Sequence, residues 1–348
     1  MSFLWRWLRR GLLALLVVLI LLALPVIRNE TMCRGKPQPQ DHSPIVTETR
    51  DESRTFTTYP EWQIVHAYAD YARVIDRGDP HDFGYLQAIG GFWSSLCPLT
   101  AMADGHGGFT TESKLTIYTI GTSFTAELAM KALYEETLGR IATWLRGPDH
   151  SPLDRLSARQ AANYARFLQQ TPWYRWDFAA DAAALDDAAT GAFRDRERRL
   201  ALGLEYRAKA AYARAIAGAV AATGQDELTL RAVVAGLTQE QLSAIPGITV
   251  IQRRPEGVEI ETPRYRELTL ILQRIADAGG QMVEIAGNDD ILLTAITEGA
   301  ADPGAIFSFP LQGSDEIRNL IVMKVPDLAA RLRELAGAGA RLEHIHDY

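Results

Sequence analysis

Hydrophobic and polar positions divide the chain into four regimes. Residues 11–27, GLLALLVVLILLALPVI, carry no charge. At a helical rise of about 1.5 Å per residue they span about 25 Å, enough to enter a bilayer as a transmembrane helix. Trp5 and Trp7 stand where an interfacial aromatic belt lies, and Arg9, Arg10 and Arg28 can snorkel from the ends. Residues 28–56 are polar, carry Pro37, Pro39 and Pro44, and lack apolar periodicity, which predicts an extended or loosely ordered tether.

Residues 57–224 read as helices. The first is expected to open at Pro60 and run through EWQIVHAYADYARVI to Gly78. Further helices are expected over 83–97, over 111–146, from Ser151-Pro152 to before Thr171, and over 191–222 with a stop at Gly224. The uncharged run LTIYTIGTSFTA at 115–126 reads as a buried helix, or more sharply as a segment resting on a membrane. Residues 225–348 change character. LTQEQLSAI is a short helix, and ITVIQRR and VEIET form a hairpin about Pro255-Glu256-Gly257. A helix, RELTLILQRIADAGG, then separates them from the strands QMVEIA and ILLTAIT. NLIVMK, PDLAARLRELAGAG and RLEHIHDY read strand, helix, strand. The fold class is therefore α+β: a transmembrane helix, a mainly helical domain, then a small ferredoxin-like α+β domain. The expected divisions are a basic segment 1–10, the span 11–27, the tether 28–56, the helical domain 57–224 and the α+β domain 225–348. No long internal repeat is evident.

Charge sets the orientation and narrows the partners. The net charge is −7, and residues 225–348 hold 19 acidic and 11 basic residues. An acidic chain of ordinary globular composition excludes a general nucleic-acid binder and wholesale disorder. Arg6, Arg9 and Arg10 precede the apolar run, and Arg28, Arg34 and Lys36 follow it more sparsely. The positive-inside rule then places the amino terminus in the cytoplasm and the bulk outside, the run being read as an uncleaved anchor with a cleaved signal peptide as the alternative. Arginine-rich, lysine-poor usage suggests a GC-rich bacterial genome, so the expected location is the inner membrane with the bulk in the periplasm. Two cysteines exclude a disulfide framework and a four-thiolate zinc site. Cys33 and Cys97 read as unpaired thiols, with pairing as the alternative.

Candidate chemistry is sparse. There is no Walker loop, dinucleotide fingerprint, GxSxG elbow or HExxH. Glu61, His66, His81 and His106 are the catalytic long shot, because a tertiary fold could gather an acid–base or metal site from them. Their spacing does not require it, and neither metal nor cofactor is assigned. His344 and His346 alternate on a terminal strand and face one way, expected toward solvent. The aromatics of TPWYRWDF offer Trp173, Tyr174 and Trp176 as a partner- or ligand-binding cluster, against a helix corner sealed by packing. Arg194, Arg196, Arg198 and Arg199, interleaved with Asp195 and Glu197, read as a solvated, internally paired helix face.

TYPEW at 58–62, FGYLQAIGGFWSSLC, TIGTSFTAELAMKALYEETLGR and the terminal LEHIHDY together resemble uncharacterised bacterial single-pass membrane proteins. The resemblance covers most of the part outside the apolar run and implies no activity. The leading expectation is a membrane-anchored envelope scaffold, held in the lipid bilayer through 11–27 and working with a protein partner. The alternatives are an envelope enzyme with a His/Glu site in the helical domain, and a small-molecule sensor using the C-terminal domain.

Overall fold

A computed structural model describes residues 2–39, 42–223 and 228–348. The 224/225 division and the helix stop at Gly224 lie outside the described residues. Helix α1 (Ser2–Met32) carries the apolar run, and no part of its most apolar stretch is buried. It is the one helix among the described residues long and apolar enough to cross a membrane, by length and composition a membrane anchor or a signal sequence.

The helical region comprises α2 (Arg54–Arg77), α3 (Tyr85–Gly105), α4 (Thr111–Tyr134), α5 (Arg140–Arg146), α6 (Pro152–Leu168), α7 (Phe178–Ala188) and α8 (Phe193–Thr223). A π-helical turn, Glu135–Gly139, joins α4 to α5. Helix α2 opens six residues before Pro60. Phe56 is fully buried, and Thr55 Oγ1 accepts from Leu292 N and donates to the His346 carbonyl, so tertiary contacts hold the extra turn. Helix α3 runs on through Pro98 to Gly105, beyond the expected end at 97. Ser151 and Asp154 form the expected capping box of α6, with Pro152 in its first turn. Helix α4 is buried on one face only: Ile117, Phe124 and Leu128 are buried, and the apolar Leu115 and Met130 are exposed.

The C-terminal strands are β1 (Thr229–Ala235), β2 (Thr249–Arg254), β3 (Gly257–Pro263), β4 (Gln281–Ile285), β5 (Asp290–Glu298), β6 (Phe307–Pro310), β7 (Glu316–Lys324) and β8 (Arg341–His346). The helices among them are α9 (Gln239–Ser243), α10 (Tyr265–Asp277) and α11 (Leu328–Gly337). Strands β1 and β6 and helix α7 are additions to the expected elements. The C-terminal region folds as two antiparallel sheets, ordered β2-β3-β1-β4 and β6-β7-β5-β8. In each the first strand lies between the third and fourth and a helix precedes the fourth; the first unit also carries α9 between its first two strands. The chain therefore contains a topological duplication that its residues do not reveal. One core serves both units. Leu230, Ala232 and Val234 of the first sheet join Ile291, Leu293 and Ala295 of the second around α10 and α11.

Strand β5 is buried on both faces. Leu292, on its other side, packs with Leu320 against Phe56 and Tyr59 of α2 and Leu99 and Ala103 of α3. This contact docks the helical region onto the second sheet.

Among its described residues, the expected loose tether is helical up to Met32 and is then held by contacts with the body. Asn29, still in α1, is buried and donates to Thr100 Oγ1 (3.0 Å) and Tyr118 Oη (3.1 Å). Cys33 and Cys97 form a disulfide, contrary to the unpaired reading; the fold brings their Cα atoms to 4.9 Å. Further on, Ile45 N and Val46 N both donate to the Glu284 carboxylate, at 2.7 and 2.9 Å. Arg50 donates to the carbonyls of Tyr348 and Thr229. The segment is thus a strap across the α+β region, ending at α2.

Candidate functional site

The strap, the loop after α3 and the turn before β5 enclose a cleft of ≈ 810 Å³. Each wall has a local cause. In DGHGG, His106 follows the last turn of α3, and Gly107 (φ 89°) and Gly108 (φ 80°) take the left-handed conformation that turns the chain back. Before β5, Ala286 (φ 53°) and Gly287 (φ 83°) reverse the chain. A side chain at 287 would stand 2.5 Å from Thr49 Cγ2, so glycine lets strap and turn meet.

Three side chains from these walls converge. Glu52 Oε2 lies 3.0 Å from His106 Nδ1, and Glu52 Oε1 accepts from the backbone N–H groups of Asp290 (2.9 Å) and Asp289 (3.3 Å). His106 Nε2 faces Asp290 Oδ2 at 3.7 Å. Lys324 Nζ lies 2.8 Å from Asp290 Oδ2 and 3.1 Å from Asp289 Oδ2. The ligand atoms of Glu52, His106 and Asp290 all lie within 4.8 Å of one another, the one such His/Cys/Asp/Glu group among the described residues. The imidazole and the two backbone donors outweigh burial and pull the Glu52 carboxyl down to about 2. The hydrogen bond to Glu52 raises His106, and Asp290 adds to the rise. The arrangement can hold a proton on the imidazole or present Nε2 beside a carboxylate to a cation.

His106 is thus the one member of the expected set that lies in this cleft. Glu61 is exposed on α2. His81 stands beside Asp82 at 3.8 Å. His66 is buried in a different cluster. Its Nε2 lies 3.5 Å from Glu343 Oε2, which also pairs with Arg318 (2.5 Å). His344 and His346, expected toward solvent, are buried there too. The His344 ring stacks on Trp62 at 3.5 Å, and its Nδ1 lies 3.1 Å from Thr269 Oγ1 of α10. His66 Nε2, His344 Nε2 and both ring nitrogens of His346 are buried without a hydrogen-bond partner.

No protein-family model, no curated protein and no solved structure matches the chain.

Trp173, Tyr174 and Trp176 are half-buried and packed among Tyr164, Phe178 and Tyr206, with Trp176 Nε1 donating to Asp181 (2.7 Å). Arg194 and Arg198 are not solvated. Arg194 is buried against Asp154 (2.8 Å) and Glu197 (2.7 Å), and Arg198 against Glu135 (2.8 Å). Sequence reasoning missed Glu52 and Asp290 as partners of His106. The available signal was the pairing of two tight turns, DGHGG and GNDD, each carrying a titratable side chain.

Proposed function

We propose that the protein is a single-pass envelope protein, anchored by α1 in the inner membrane of a bacterial cell, whose body acts in the periplasm as a scaffold for a protein partner. The join between helix and body carries this reading. A disulfide follows the helix directly, and disulfides persist in oxidising compartments. The body is then on the outer side, in agreement with Arg6, Arg9 and Arg10 on the inner side. The last turn of the helix is built into the body through Asn29, which favours a retained anchor over a removed signal.

A partner surface is supported by apolar side chains outside the anchor. Trp144 (79% exposed), Leu200 (75%) and Leu133 (70%) lie on α5, α8 and α4. Lys131–Glu205 pairs α4 with α8, and Glu135–Arg198 pairs the π-helical turn that leads into α5 with α8, so the three helices are neighbours in the body. Exposed apolar groups on neighbouring elements mark interaction sites. The partner expected is a protein with its own apolar face. In cells, crosslinking should trap a near-stoichiometric partner that Trp144→Glu with Leu200→Glu removes and Trp173→Ala spares. Recovery of the chain alone, or labelling of the body from the cytoplasmic side, would overturn the reading. A second reading, an envelope enzyme working from the cleft, is favoured by the Glu52–His106 pair, the usual device for holding an imidazole ready to take a proton.

A further inference from the structure

We infer that the Glu52–His106–Asp290 cluster is a binding site for a divalent transition-type cation such as zinc. His106 Nε2 and Asp290 are its ligands, and Glu52 holds the imidazole. The inference stands apart from the scaffold reading and from the anchor.

The geometry of the imidazole comes first. Glu52 cannot turn freely, because two backbone N–H groups at the start of β5 and the imidazole hold its carboxylate. Its bond to Nδ1 selects the tautomer with the proton on Nδ1 and points the Nε2 lone pair across the cleft. A carboxylate on the far nitrogen of a histidine is the recurrent outer support of a metal-bound imidazole, fixing the ring and raising its basicity.

The ligand separation comes second. His106 Nε2 and Asp290 Oδ2 are 3.7 Å apart, too far for a hydrogen bond. Two ligands each about 2.1 Å from one ion, at angles of about 110–125°, are separated by about 3.4–3.7 Å. The observed gap is that chord. One imidazole nitrogen beside carboxylate oxygens suits zinc and its neighbours better than calcium or magnesium, which take oxygen alone. The cleft leaves room for water to complete the coordination.

Lys324 comes third. Its ammonium touches both Asp289 and Asp290 and supplies the positive charge next to the site. The side chain is 53% exposed on the last residue of β7, so it can swing into solvent and release both carboxylates. An incoming cation must displace it, and this competition separates a metal site from a purely structural ion-pair cluster.

The test titrates the full-length, tag-free, detergent-solubilised protein, stripped with chelator, with zinc chloride alone, read by calorimetry. Cobalt is added in parallel and read by visible absorption. One ion per chain is expected. Lys324→Gln should tighten binding at least about tenfold by removing the competing charge. Glu52→Gln should weaken it about 10–100-fold, in the range for lost outer support, and His106→Gln should abolish saturable binding. Absence of saturable zinc binding in both the natural protein and Lys324→Gln overturns the inference, as does unchanged binding in His106→Gln. If His106→Gln does not fold, cobalt decides on the natural protein: a spectrum identical to that of the hydrated ion overturns the site, and intensified bands support it.

Discussion

Acidification from about pH 7.5 to about pH 5 is expected to destabilise this protein through the histidines between α2 and β8, before the low-lying carboxylates Glu52 and Glu343 titrate. Burial, with help from the Arg318 guanidinium, pushes His66 down to about 3 despite Glu343 nearby. Burial and the neighbouring imidazoles hold His344 and His346 well below the usual histidine value. A histidine that ionises near 6.5 when unfolded and stays neutral when folded leaves stability untouched above that value. As pH falls below it, the unfolded chain gains protons that the folded chain refuses, and stability falls. At about pH 5 the loss is about 2 kcal/mol for His66, and His344 and His346 add losses of the same sign. The first of these alone is a sizeable share of the stability of a typical domain. Glu52 and Glu343, each held near 2, add their own loss only below the ordinary carboxylate range near 4.5. His106 works oppositely. Its raised value gives stability that is fully present below 6.5 and lost as pH rises through the folded value, so it offsets part of the fall. Urea unfolding of the detergent-solubilised chain at the two pH values measures the difference. Tryptophan fluorescence is a suitable probe, because Trp62 stacks on His344. His346→Gln should shrink the pH difference. Equal stabilities at both pH values in the natural protein would refute the reasoning.

Two further outcomes are expected. The Cys33–Cys97 bridge closes a loop of 64 residues, so Cys97→Ser should cost about 4 kcal/mol by the chain-entropy relation; protease cleavage within 33–50, compared with and without the bridge, checks it. A side chain at position 121 would stand 2.5 Å from Phe92 Cε1 and 3.1 Å from Trp93 Cη2. Gly121→Ala should therefore lose about 1–3 kcal/mol by overpacking, seen as a lower Tm, and a neutral result would mean that α3 and α4 can part without penalty.

The residues alone determined every element whose cause is local. The apolar run is readable as α1 because an uninterrupted span of that length has few other uses. Ser151-Pro152 announced α6, because a cap and a first-turn proline act within four residues. The hairpin about Pro255-Glu256-Gly257 is likewise local. His106 stood out because glycines on its far side must turn the chain. What crosses long stretches of sequence was decided by tertiary structure. Glu52 and Asp290 meet His106 across separations that no motif records. The strap looked like a tether because its partners, Glu284 and the ends of β1 and β8, lie far along the chain. The duplication was hidden because only the order of strands repeats, not the side chains. His344 and His346 share a face, as strand alternation requires, but a period of two does not say what covers that face. Helix α2 covers it with Trp62, and this turns an apparent solvent edge into the buried histidine cluster on which the acid response depends.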